Sequence, residues 1–296
     1  MWADREAPEW GTEQVSAKPH LRFEESLWDD LLARLVAAGA NMVVLDLGDA
    51  VRYRSHPELA VQGAWTPQRL RRELKRLRGL GLEPIPKLNF STCHDAWLGP
   101  YARQVSTPRY LAVCRDLITE VLDLFEGPRF FHLGMDEETA EHQRYYDYVV
   151  VRQYDLWWRD LYFYLDVVER GGARGWVWSD YAWHHPEDFY TKMPLNVVQS
   201  NWYYGTDFGP NVVAARTYAE LEAHGYDQVP TGSNWSAAEN LAKTVAHCRQ
   251  VIAPERLLGF LQTVWKPTLE PFRPRLMQAI ELLGQARREF LAAKTP

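Results

Sequence analysis

The sequence predicts an α/β chain forming a single (β/α)8 TIM barrel over residues 1–296, its first strand short or missing, and three observations carry that reading. Seven short β-branched or apolar runs alternate with seven segments of helical periodicity, the pattern of a parallel sheet with right-handed crossovers. The length of 296 residues suits one such barrel, which takes about 250. No glycine-rich dinucleotide or phosphate-loop turn follows any run, which disfavours an open doubly wound sheet, whereas polar residues gather after nearly every run.

In chain order the strand-like runs are 42–47, 83–88, 129–134, 175–179, 196–200, 227–231 and 257–264. Each is bounded by turn residues and too short for a helix. Helical spacing covers 24–38, 66–80, 107–125, 154–170, 213–224, 237–252 and 273–293. Thr66-Pro67 and Thr107-Pro108 each set a capping threonine before a proline at the first helical position, and Gly79 and Gly81 close the second helix. An eighth strand belongs at the start, but only Met1 and Trp2 precede a polar stretch running to about His20.

Composition narrows the function. With 46% hydrophobic and 24% charged residues the chain is an ordinary globular one. No apolar run reaches the roughly 20 residues of a membrane span, and no basic-then-apolar leader opens the sequence. The expectation is a soluble protein without a membrane partner, cytoplasmic as the sequence stands, with a homo-oligomer open. A net charge of −6 has the wrong sign for neutralising phosphates, so nucleic acid is not an expected partner. Cys93, Cys114 and Cys248 lack metal-type spacing and read as reduced structural thiols; no cofactor or metal is expected. Thirteen Trp and fifteen Tyr, many near strand ends, suit stacking on sugar rings, which makes a carbohydrate the expected substrate.

In a barrel the C-terminal strand ends face one bowl. The residues there are Asp46 and Asp49; Lys87 and Asn89, followed by His94 and Asp95; His132 with Asp136, Glu137 and Glu138; Trp178 and Asp180; Asn201, Trp202 and Tyr203; Asn234 and Trp235; and Trp265 with Lys266. The densest set is Asp136-Glu137-Glu138. Mutual repulsion of adjacent acids can raise one pKa until that group donates a proton near neutrality. The other reading is three charges at the start of the next helix, favoured by its dipole. Trp157-Trp158, within a helical segment, reads as packing; Asp46 reads equally as a loop cap, and Lys87 as an ion-pair partner.

The segment His132-Leu133-Gly134-Met135-Asp136-Glu137 resembles the H-x-G-G-D-E signature of family 20 glycoside hydrolases, the β-N-acetylhexosaminidases, with Met135 at the second glycine. Gly39-Ala40-Asn41-Met42 through Asp46 and Asp49 is similar to the family's second strand. Trp65-Thr66 and Glu83-Pro84-Ile85-Pro86 resemble the approach to its third, with His94 near the place of a family histidine. Trp202 and Trp265 look like tryptophans that wall the sugar site. The resemblance spans about residues 22 to 270 and is strongest from 40 to 140.

It implies retaining, substrate-assisted hydrolysis of a terminal β-linked 2-acetamido sugar, an exception to the two-carboxylate scheme. Glu137 would be general acid, then base; Asp136 would orient the substrate acetamide; His132 and His94 would support the carboxylates. The departures are specific. The small α/β domain before the family's barrel and a secure first-strand arginine are missing, Arg5 and Arg22 being weak candidates. Gly232-Ser233-Asn234-Trp235 replaces the family's Tyr-x-Asp, and Lys266-Pro267 follows Trp265, a lysine that suits a carboxylated or sulfated sugar. Three alternatives stay open: a barrel glycosidase with Asp180 or Asp49 as nucleophile opposite Glu137; a metal-dependent hydrolase using His56, His94 and His132 with Asp46 or Asp136; and a non-catalytic sugar-binding barrel.

Overall fold

The computed structural model describes residues 17–292. It forms two compact units, one holding residues up to Leu21 and Met42–Val177, the other Arg22–Asn41 and the chain from Trp178 onward. Among the described residues the strands are parallel and alternate with helices.

The first unit is built on β1 (Met42–Asp46), β2 (Glu83–Lys87), β3 (Phe130–His132) and β4 (Arg174–Trp178). Strands β1 and β2 pair in full register from Met42↔Glu83 to Asp46↔Lys87. Strands β2 and β3 pair only at Lys87↔His132, and the two prolines of β2 explain why. Lys87 turns its carbonyl to the β1 side, accepting from Leu47 N–H, so Pro84 and Pro86 face β3 without a donor. Leu88 and Phe90, beyond the prolines, resume donation to the His132 and Leu133 carbonyls. Three long helices cover this unit. In α2 (Pro67–Gly79) and α3 (Pro108–Leu124) the capping threonines accept from Arg69 and Tyr110 N–H, each at 3.2 Å. In α4 (Asp155–Arg170), Trp157 and Trp158 are 1% and 2% exposed, the packing role their spacing suggests.

The second unit carries β5 (Val198–Ser200), β6 (Thr231–Ser233) and β7 (Leu261–Thr263). Strands β6 and β7 pair in register, and isolated parallel bridges, Gln199↔Gln228 and Trp202↔Thr231, connect β5 to the β6 segment. Helix α1 (Glu25–Ala38) packs on α9 (Arg273–Ala292) through Leu27, Leu31, Leu276 and Ile280. Helices α7 (Val213–Ala223) and α8 (Asn240–Val251) bury Tyr218 and Cys248 together.

Most element positions follow the expected alternation, and the differences have local causes. The expected run 227–231 becomes isolated bridges from Gln228 to Gln199 and Leu257, followed by β6, because Pro230 interrupts the ladder without an N–H. Two short helices, α5 (Tyr181–His184) and α6 (Pro186–Lys192), lie between β4 and β5, too short to leave a periodic signal. Before α1 no strand occurs among the described residues, only parallel bridges His20↔Gln62 and Phe23↔Thr268. Met1, Trp2 and Arg5 lie outside the described residues. No helix among the described residues is long and apolar enough to cross a membrane.

Candidate active site

The chemistry collects where the chain leaves β3. Gly134 follows with φ +73°, and a Cβ built there would stand 2.0 Å from Asn89 Oδ1 and 2.8 Å from Asn89 Cα, so only glycine fits. Asn89 uses that contact to hold the turn: its Oδ1 accepts from Met135 N–H at 3.2 Å and Ser91 N–H at 3.0 Å, while its Nδ2 donates to Asp136 Oδ1 at 2.8 Å. Met135 and Glu137 also have positive φ, +76° and +55°. Side-chain residues there cost about 1–3 kcal/mol each and cluster at functional sites. Met135, placed where the resembling signature has glycine, thus keeps a glycine-like backbone. His132 accepts from Gly134 N–H through Nδ1 at 3.0 Å and leans on Trp176, ring centroids 5.0 Å apart. Burial, with Lys87 nearby, pushes its pKa well below the usual value. Its ring shapes the turn through this bond to backbone.

The two exposed-side acids share one imidazole. His94 Nε2 lies 3.3 Å from Asp136 Oδ2 and 3.2 Å from Glu137 Oε2. Burial disfavours a charged His94, but the two carboxylates outweigh it and lift its pKa to about 9. Burial would likewise raise Asp136, yet His94, Lys87 and the Asn89 amide hold it well below the usual range. The expected upward shift from repulsion therefore does not fall on Asp136, because His94, Lys87 and the Asn89 amide outweigh its burial. On the other side of Glu137, His142 Nε2 approaches Oε1 at 3.4 Å, with its Nδ1 2.7 Å from Thr139 Oγ1. Nothing in the sequence singled out His142, since it sits in an irregular segment without period. Lys87 Nζ pairs with Asp46 Oδ2 at 2.5 Å, across the β1–β2 register. Asp49 lies in a 3₁₀ turn, Gly48–Ala50, after β1.

Glu138 and Asp95 are turned inward, and Glu138 is engaged by a buried arginine. The Glu138 side chain is 3% exposed and paired with Arg152, itself 1% exposed, at 2.6 Å. Arg152 also reaches Asp160 at 3.4 Å, Tyr164 Oη at 3.1 Å and the Phe90 carbonyl at 2.7 Å. Thr92 N–H and Arg152 N–H both donate to the same carboxylate. Asp95 is buried, and burial pushes its pKa well above the usual value despite Arg152. The helix-dipole reading of the acid triplet fails, because the next helix, α4, begins only at Asp155.

The second unit holds an aromatic set after its strand ends. Trp178 meets Trp265 edge-on at 5.8 Å, and Trp265, with φ +55°, donates from Nε1 to Tyr204 Oη at 2.8 Å. Trp202 packs against Tyr204 at 5.1 Å and Trp183 at 4.6 Å, and donates from Nε1 to Asp180 Oδ1 at 3.3 Å. Tyr203 instead packs on Phe208 and the Tyr218–Cys248 cluster, so Tyr204, one residue later, takes the place expected of it. Asn201 is 1% exposed, its amide nitrogen donating to the Ala214 carbonyl and its amide oxygen accepting from Trp183 Nε1. Lys266 Nζ stands 4.9 Å above Trp235, whose carbonyl accepts from Arg275. Burial, then Arg275, lowers the Lys266 pKa. The histidine set of the metal-hydrolase alternative is not assembled: His56 pairs with Glu58 and Asp116, and His132 with the Gly134 backbone.

No family model and no curated protein matches the sequence. Solved structures do match the fold. The β-N-acetylhexosaminidase of Bacteroides fragilis superposes with TM-score 0.64 at 13% identity, covering 88% of this chain and 63% of its own. A chitobiase of Flavobacterium johnsoniae gives TM-score 0.64 at 16% identity over 99% of this chain and 50% of its own. The family 20 β-N-acetylhexosaminidase of Streptomyces coelicolor gives 0.62 at 15% identity over 88% and 62%. At these identities the likeness is one of fold, and the chain spans only half to under two thirds of each of these proteins.

Two outcomes follow from the site's charges. Replacing Arg152 with Met leaves Glu138 and Asp160 buried without their shared cation, a loss of about 3–5 kcal/mol in urea denaturation; a Glu138→Gln second change recovers part of it. His94, with a folded pKa of about 9 above its unfolded value near 6.5, contributes stability fully present below about pH 6.5 and lost as pH rises through about 9. Denaturation midpoints measured across that window fall for the native chain and are flat in His94→Asn; an equal fall in both would contradict the pairing of His94 with the two acids.

Proposed function

We propose that this chain is the catalytic part of a family 20-type retaining glycoside hydrolase, cleaving a terminal β-linked 2-acetamido sugar with the substrate's own acetamide as nucleophile. The observation that carries the reading is the Asp136–Glu137 pair on the turn after β3, with both carboxylates within 3.2–3.3 Å of His94 Nε2. The fold shared with β-N-acetylhexosaminidases supports it.

Each residue's part follows from its surroundings. Asp136, kept ionised by His94, Lys87 and Asn89, accepts the acetamide N–H and stabilises positive charge as the acetamide oxygen bonds to the anomeric carbon. Glu137, the more exposed acid, its side chain 20% open against 10% for Asp136, gives its proton to the leaving oxygen and later takes one from the attacking water. His94 touches both and is the local proton store; His142, anchored on Thr139, holds the second oxygen of Glu137. No other nucleophile is needed, which suits a carboxylate pair served by one cation. The aromatic set of Trp178, Trp202, Tyr204 and Trp265 offers stacking faces of the kind sugar rings take.

A panel of aryl β-glycosides of N-acetylglucosamine, N-acetylgalactosamine, glucose and galactose tests the proposal. Turnover is expected on the acetamido sugars alone, with Glu137→Gln lowering kcat by about 10²–10⁴-fold. Equal turnover of glucosides, or an unaffected Glu137→Gln variant, would overturn it.

A further inference from the structure

Cys93 stands immediately before His94, and the structure brings its thiol into the same cluster as the acid pair. One donor atom each from Cys93, His94 and Glu137 lies within 4.8 Å of the others. A tetrahedral zinc-class ion, with bonds of about 2.0–2.3 Å, holds its donors roughly 3.5 Å apart, so small side-chain rotations close the set. The backbone under it is fixed: His94 N–H donates to the Ser91 carbonyl at 2.9 Å, Cys93 N–H to Ser91 Oγ at 3.1 Å, and Tyr146 Oη to the Cys93 carbonyl. His94 supplies a second observation. It is 6% exposed, and neither ring nitrogen makes a well-aligned hydrogen bond, although Nε2 faces both carboxylates across 3.2–3.3 Å. A buried imidazole in that position is arranged for a cation lying between it and the acids as well as for a proton.

We propose that Cys93, His94 and Glu137 bind a soft divalent cation of the zinc class, and that its binding switches hydrolysis off by occupying Glu137. The switch rests on the function proposed above; the metal site does not. A thiolate, an imidazole and a carboxylate form a set that selects zinc or cadmium over magnesium or calcium, which take oxygen ligands. On binding, the Cys93 thiol and the His94 imidazolium each release a proton to solvent, and the sulfur and nitrogen lone pairs form the metal bonds without redox change. A water completes the fourth position. The Glu137 side chain is 20% exposed, so its carboxylate is reachable from solvent.

Cadmium alone, titrated into the full chain freed of metal by chelation, is the direct test. The thiolate-to-cadmium ultraviolet band is expected to saturate at one equivalent, to vanish in Cys93→Ser and Cys93→Ala, and to persist in Cys114→Ser and Cys248→Ser. Glu137→Gln should weaken the affinity by about tenfold or more. With an acetamido glycoside, zinc should suppress native turnover reversibly on chelation, while Cys93→Ser keeps basal turnover and is about tenfold less sensitive. Absence of the band in the native chain, or its survival in both Cys93 variants, overturns the site. A normal band with no glycoside cleaved sinks the functional reading and leaves the site standing. Equal zinc inhibition of the native chain and Cys93→Ser, or activation by zinc, overturns the switch.

Discussion

Three consecutive carboxylates follow one strand, two of them largely buried, and each meets a basic side chain from another segment of the first unit. Asp136 and Glu137 share His94, and Glu138 takes Arg152. Desolvated acids side by side otherwise neutralise by protonation. The partners come from different segments: His94 from the stretch after β2, Arg152 from the approach to α4. Arg152 also ties Glu138 to Phe90 and Tyr164, so the backbone behind the acids is braced by a charge network as well as by apolar packing.

Division of labour among the three acids comes from exposure. Glu138 is sealed away and structural, Asp136 is nearly buried and kept ionised, and Glu137 alone keeps a useful opening to solvent. In the proposed mechanism this pairing serves two needs, the buried anion facing the developing positive charge and the more open acid facing the leaving group. The strained turn places them: Gly134 passes over Asn89 where no Cβ fits, and Met135 and Glu137 follow with positive φ. The strain is held by the bonds Asn89 makes to Met135 and Asp136.

Much of this was readable from residues alone. The strand and helix alternation, the Thr-Pro helix starts and the His132–Glu138 strand end follow from period and capping, which are local signals. What the sequence hid lies in irregular segments. His142 and Arg152 sit where no period tells which way a side chain points, and Tyr204 exchanged with Tyr203 because one residue of phase decides which of two tyrosines meets Trp265. The inward turn of Glu138 was equally hidden, since its partner lies fourteen residues on in sequence, at Arg152. Prolines shaped the strands in ways composition did not reveal: Pro84 and Pro86 restrict β2 to one listening side, and Pro230 shortens β6.

In the proposed mechanism the substrate's acetamide, steadied by Asp136, attacks the anomeric carbon. Hydrolysis rates for aryl β-glycosides carrying acetyl, fluoroacetyl, difluoroacetyl and trifluoroacetyl groups on the 2-nitrogen test it most directly. Each fluorine withdraws electrons from the attacking oxygen, so kcat/KM should fall steeply along the series, and in Asp136→Asn the acetyl compound should lose its advantage. Rates independent of fluorination would mean that a group of the protein makes the bond, and would contradict the account.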